Sequence, residues 1–375
     1  MRPVSVVAGV DQNSHWLKSL RRAKSEFLVL RETFDPTELA GAAMALRPEV
    51  VLVSVGFSET EPWLLSRIKG LGARCLLVGS PDAIADQMRA EHLRIPLCDG
   101  SPQGISAALD QPDPLQQNSG QLLAVCGPAG SPGVSTVAGN IAAETASESV
   151  LIDADPRSPS QAFLLGAREE PSGLLAALAQ GQVGTIDRES WQMCLAPVAG
   201  EILLATGTSD HEALVSLSGT LPVLTEVSRE CAELTVLDCG SGGLSDWSAS
   251  AVARADGVAV VAAPTALGMH RLTRWWARHR PVLAGAVTLI WNGVGGLGAA
   301  ALGSDPVTRL REASKFTGAG VGFAVLPEDG IAAAAMNRVS GPLRVVAPEC
   351  ELREAIESLP PLVPPAPVGA VAVPR

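Results

Sequence analysis

The chain has 375 residues, 47% hydrophobic and 18% charged, which is enough apolar material for two or three globular domains. No continuous apolar run reaches the roughly 20 residues that a bilayer span needs, and the N-terminus lacks a signal-peptide pattern, so a cytoplasmic protein without a direct membrane anchor is expected. A formal net charge of −11 argues against strong nucleic-acid binding, which requires clustered cations to displace counterions.

Aromatic residues make up only 3% and tyrosine is absent, so the core must be built mainly from Ala, Val and Leu. The seven cysteines (Cys75, Cys98, Cys126, Cys194, Cys231, Cys239, Cys350) are scattered. No C-x-x-C pair or Cys/His cluster occurs, which excludes a zinc-site or disulfide framework and fits a reducing compartment.

In chain order, residues 1–110 alternate strand-like and helix-like runs. Strands are predicted at Val4–Ala8, Phe27–Leu30, Val50–Val55, Cys75–Val78 and Ile95–Leu97. Helices are predicted near Ser14–Ala23, Thr37–Leu46, Ser58–Lys69, Ala83–Glu91 and Gln103–Leu109. Five βα units predict a small doubly wound parallel sheet. This arrangement resembles a two-component receiver domain. That resemblance implies acidic residues after the first strand, an aspartate ending the third, Ser/Thr after the fourth and Lys-Pro after the fifth. The chain has Asp11, then Val53-Ser54-Val55, then Ser80, then Asp99-Gly100-Ser101-Pro102. With no aspartate at the third position, a pseudo-receiver used for contacts is expected; an unrelated flavodoxin-like domain is the alternative.

Residues 111–120, QPDPLQQNSG, read as a linker. Residues 121–359 then form a second α/β domain. Its predicted strands are Leu122–Cys126, Val150–Ile152, Ile202–Ala205, Leu234–Leu237, Gly257–Ala262, Ala286–Trp291 and Gly322–Leu326. Their near-continuous Val/Leu/Ile runs indicate strands buried on both faces of a parallel sheet.

The first of these strands leads into VCGPAGSPGVSTVA, Val125–Ala138, and then a helical run to Ala146. Gly130 and Gly133 let successive N–H groups point at an anion at a helix N-terminus. Ser135 stands where the Ser/Thr of a G-x-x-x-x-G-K-[ST] loop binds Mg²⁺. The lysine of that pattern is Val134 and its first glycine is Pro128. The four lysines (Lys18, Lys24, Lys69, Lys315) all lie far from the loop in sequence. Loss of the ammonium that offsets phosphate charge makes fast hydrolysis unexpected. A plain strand-to-helix turn remains the alternative reading.

Further strand ends carry chemistry. Val150–Pro156 ends in Asp153 and Asp155, one residue apart and on one side of an extended segment. Asp238 ends LTVLDCG, Asn292 ends TLIWNG, and Pro327 and Glu328 lie in LPED. Carboxylates at these points can complete a Mg²⁺ shell or orient water; an N-cap or turn role is the alternative for each alone. Between them, MHRLTRWWARHR, Met269–Arg280, puts Arg271, Arg274 and Arg278 on one helix face with Trp275 and Trp276 beside them. It reads as a surface helix packing its tryptophans inward, or as a contact for an acidic partner. The proline-rich end, 360–375, lacks amphipathic spacing and is expected to be extended or disordered.

With these motifs in place, Leu122–Pro348 resembles the MinD/ParA superfamily of deviant P-loop ATPases, whose loop reads KGGxGK[ST]. The resemblance implies two doubly wound domains, receiver-like and then MinD-like. It assigns Gly130, Gly133, Ser135, Thr136, Asn292, Pro327 and Glu328 to nucleotide binding, and Ser135, Asp238 and Asp153 to Mg²⁺. Asp155 and Asp153 take the catalytic positions in vestigial form. Pseudo-receiver plus this domain looks like the CpaE/TadZ-type pilus-localisation proteins and the related septum-site-determining proteins. The signature lysine is Ala129 and the second glycine Ser131, so weak Mg-ATP binding with little or no ATPase activity is expected. The resemblance further implies protein partners from division or pilus machinery, recruitment to a pole or septum through them, and a homodimer. A slow lysine-less Mg-ATP switch and a DNA-partitioning ATPase are the alternatives.

Overall fold

The computed structural model describes residues 2–11, 14–57, 73–93, 95–110, 120–130, 132–145, 147–169, 171–184, 186–199, 201–244, 246–283, 285–296, 303 and 305–363. Two compact units form, one mainly Met1–Ser119 and the other Gly120–Gln182 with Ile186–Ala366.

In the first unit the strands are β1 (Val4–Gly9), β2 (Phe27–Thr33), β3 (Val50–Ser54), β4 (Arg74–Val78) and β5 (Leu97–Cys98). They pair in parallel in the order β2-β1-β3-β4-β5. Every residue of β3 is buried, as helices on both faces require. The helix Pro36–Leu46 starts where Asp35 accepts hydrogen bonds from the N–H groups of Thr37 and Glu38. The fifth strand was expected at Ile95–Leu97 but begins at Leu97. Pro96 has no N–H to give the ladder, and only its carbonyl accepts, from Leu77. The expected helix Ser58–Lys69 and residues 111–119 of the linker lie outside the described residues.

The second unit holds an eight-stranded sheet. Its strands are β6 (Gln121–Pro128), β7 (Ser149–Asp153), β8 (Ala196–Val198), β9 (Ile202–Ala205), β10 (Leu234–Gly242), β11 (Gly257–Ala262), β12 (Ala286–Val294) and β13 (Gly322–Pro327). The order is β13-β12-β11-β6-β10-β7-β9-β8, parallel throughout except β8, which runs antiparallel to β9. The parallel sheet expected from the sequence is present, with this antiparallel edge strand added to it. β8 has three residues, none buried, and contains Pro197, which an edge tolerates but which argues against a strand in the sequence. Along β6, Leu122, Ala124 and Cys126 enter one core and Leu123 and Val125 the other. This alternation seats five tryptophans on the first side and the helix Val134–Ala143 on the second.

Of the proline-rich end, residues 360–363 are described, without helix or strand. Leu362 is buried and joins the core, and its carbonyl faces the bare backbone of Gly257. Residues 364–375 lie outside the described residues. No helix among the described residues is long and apolar enough to cross a membrane.

Candidate functional site: a lysine-free loop over buried carboxylates

The central strand β6 runs into the loop, and Gly133 opens the following helix with φ 84°, while Gly130 has φ 115°. Both values lie in the left-handed region that favours glycine, so the loop backbone curls as an anion cradle needs. Val134, at the lysine position, is 3% exposed and packs in the core with Val137 and Val261. Ala129 is exposed and carries no charge.

Beneath the loop, Asp238 on β10 and Asp153 on β7 are register partners on adjacent strands. They are 0% and 1% exposed. Asp238 Oδ2 accepts from Gln161 Nε2 at 2.7 Å and Oδ1 from the Gly240 N–H at 3.0 Å, and the Ser135 hydroxyl also bonds this carboxylate. Burial raises the pKa of Asp238, against the pull of these hydrogen bonds. Burial and then the neighbouring Asp238 push Asp153 well above the usual aspartate value. Asp153 Oδ2 accepts from the Ser160 and Gln161 N–H groups at 2.8 and 2.9 Å, while its Oδ1 has no partner. Asp155 accepts from the Arg157 and Ser158 N–H groups and presses on Gly240, whose φ is 66°. The structure thus joins Ser135, Asp238, Asp153 and Asp155 at one sheet edge.

The other candidates fall around the loop differently. Asn292 Nδ2 donates to the Pro132 carbonyl at 2.9 Å and lies against Gly133, so it braces the loop directly. Thr136 is half-buried on the helix, its carbonyl accepting from Asn140. Pro327 ends β13 opposite Val294, and the Glu328 carboxylate lies on Gly296. Asp329 caps the helix Gly330–Arg338.

Sequence reading missed Gln161. It is fully buried, donates to both Asp238 and the Ser135 carbonyl, and leaves its own Oε1 unpartnered against Gly139. A glutamine opening an otherwise apolar helix was its only signal. Gln161→Leu is expected to cost about 1–3 kcal/mol, because the buried acceptors lose their donor. The shift of the urea midpoint measures it, and an unchanged midpoint contradicts the assignment.

The residues fit Mg²⁺ with a nucleotide in part. Two orphaned buried oxygens, Asp153 Oδ1 and Gln161 Oε1, stand beside Ser135 and Asp238. Among the described residues no group of three His, Cys, Asp or Glu side chains is placed to hold a metal by itself. A cation at this point therefore depends on oxygens from a phosphate ligand as well.

No protein-family model matches the chain, and no curated protein does. Solved structures do match. A ParA family ATPase from Chlorobium tepidum aligns at TM-score 0.53 and 15% identity, covering 63% of this chain and 97% of that one. The cell division ATPase MinD of Pyrococcus furiosus aligns at TM-score 0.49 and 17% identity, over 64% and 95% of the two chains. The septum site-determining protein MinD of Pyrococcus horikoshii, complexed with Mg-ADP, aligns at TM-score 0.48 and 18% identity, over 63% and 93%. The chain has the α/β parallel-sheet fold of the ParA family ATPase.

Proposed function

We propose that this chain, built on the fold of the MinD/ParA P-loop ATPases, is a spatial regulator of the cell envelope that acts through its surfaces more than through turnover. It places or restrains a division septum or a pilus-assembly machine through that machinery's proteins, which recruit it to a pole or septum. The observation that carries this reading is Val134, buried in the core where a hydrolytic loop needs an ammonium.

Mg-ATP, when bound, supplies the phosphate charge to which the loop responds. The chain's own groups would bind and orient: the amides around Gly130 and Gly133 would face the anion, and Ser135 and Asp238 would hold the cation. One oxygen of Asp153 is tied to two backbone N–H groups, and no ammonium stands at Ala129 or Val134 to offset charge that builds on the phosphates. Turnover is accordingly slow or absent. In the first unit, Ser54 stands where a receiver carries its aspartate and is bonded to Ser14 and to the Trp16 indole, at 2.6 and 3.1 Å. That unit serves as a pseudo-receiver, for contacts. The bond between Ser135 and Asp238 favours a second reading, a slow lysine-less Mg-ATP switch that dimerises.

A fluorescent fusion of the full chain, expressed in its own cell, tests the leading reading. Foci at poles or septa are expected, with displaced septa or lost surface appendages on deletion. Uniform fluorescence and an unaltered deletion strain would sink it. Steady-state phosphate release separates the second reading: turnover above background that Ser135→Ala abolishes selects the switch.

A further inference from the structure

The helix Ala266–His279 starts where Thr265 Oγ1 accepts from the Gly268 N–H, at 2.9 Å. It buries Leu272, Trp275 and Trp276 against the sheet. Its opposite face therefore turns Arg271, Arg274 and Arg278 outward, and these residues wall a cleft of about 570 Å³ with Pro128, Ala129 and Arg157. That volume is in the range of small-ligand sites.

Two guanidinium groups in this cleft rest on bare glycine. Arg271 Nη1 lies 2.0 Å from where a Cβ on Gly130 would stand, and Arg157 Nη1 lies 2.3 Å from the same point on Gly242. Gly242 and Pro128 are register partners at the carboxyl ends of β10 and β6, so both arginines reach the same sheet edge, one over the loop. Among the described residues, the side chains of Arg157, Arg271, Arg274 and Arg278 make no ion pair or hydrogen bond. Four unpaired guanidinium groups gathered in a chain of net charge −11 are a local concentration of positive charge, not a reflection of composition. His279 adds little, since burial and Arg278 hold its pKa below the usual value.

We propose that this cleft binds adjacent phosphates, with Arg271 supplying across the loop the positive charge absent from Ala129 and Val134. The chemistry fits a di- or triphosphate group, whose oxygens accept paired N–H bonds from guanidinium forks. A monophosphate engages too few of the forks to hold. The inference rests on reading Val125–Ala138 as an anion loop, and it identifies the residues that complete that loop. The source of the phosphates is either a nucleotide or a free polyphosphate.

The test is calorimetric titration of the full chain with Mg-ATP, AMP and tripolyphosphate, in the wild type, Arg271→Gln and the double variant Arg274→Gln/Arg278→Gln. All three arginines are exposed, so the variants should fold, and circular dichroism verifies this. Expected are binding of ATP and tripolyphosphate but not AMP, weakening by about tenfold or more in Arg271→Gln, and a loss of wild-type affinity with rising salt that is shallower in that variant. Tripolyphosphate binding that depends on Arg271, without any gain from adenosine, upholds the cleft and removes the nucleotide reading of the loop. ATP binding unchanged in both variants overturns the cleft and leaves that loop reading standing. No binding of either polyphosphate to the wild type also overturns the proposal.

Discussion

Trp291→Ala is expected to lower the stability of the second unit by about 3–5 kcal/mol, the range for deleting a large buried aromatic side chain. Trp291 is 0% exposed in the middle of β12, between Ala262 of β11 and Val325 of β13 in register. Its indole donates to Ser314 Oγ at 3.0 Å, so truncation leaves a cavity and a hydroxyl without its donor. The cost reaches the site, because the next residue is Asn292, which braces the loop through the Pro132 carbonyl. Urea unfolding followed by circular dichroism should show the transition of the second unit moving to lower denaturant. Trp291→Phe, which keeps most of the volume, should recover more than half of the loss. A change below about 1 kcal/mol in the alanine variant would show that the sheet repacks around the gap.

Asp153→Asn is expected to stabilise the chain, by an amount that grows with pH. The folded-state pKa of Asp153 is raised well above 3.8, first by burial and then by the Asp238 carboxylate. A raised folded value means that the native state holds a proton that the unfolded chain has released. Its contribution is fully present below 3.8 and is lost as pH rises through the folded pKa. Asparagine keeps an oxygen to accept from the Ser160 and Gln161 N–H groups and cannot become a buried anion beside Asp238. The variant should match the wild type near pH 4 and exceed it by about 1–3 kcal/mol near pH 8. Urea midpoints across that range decide the matter. A gap that shrinks with rising pH would mean that Asp153 is held as a stable anion, and the account of its burial would fail.

The Asp153 case also marks where sequence reading stops. Two carboxylates spaced D-x-D at a strand end are visible in the chain. The spacing does not reveal that Asp153 and Asp238 become register partners, because that depends on β10 lying between β6 and β7. Strand order depends on crossover connections and on which helix covers which face, and no local pattern encodes it. Gln161 went unnoticed for the same reason: its two partners lie on a different helix and a different strand.

What the sequence determined by itself was most of the parallel strands and the missing charge. Long Val/Leu/Ile runs and glycine-led turns dictate buried parallel strands, since such segments cannot leave either face in water. The absence of lysine from Val125–Ala138 is a matter of covalent composition that no folding can alter. The tertiary structure alone decided what stands in the empty place. It buries Val134 in the core, sets Asn292 against the loop, and brings Arg271 and Arg157 onto Gly130 and Gly242 from helix and turn segments distant in sequence. The physical reason is that a side chain's charge is fixed locally, whereas the space it enters is fixed by packing among elements that meet only when the sheet closes.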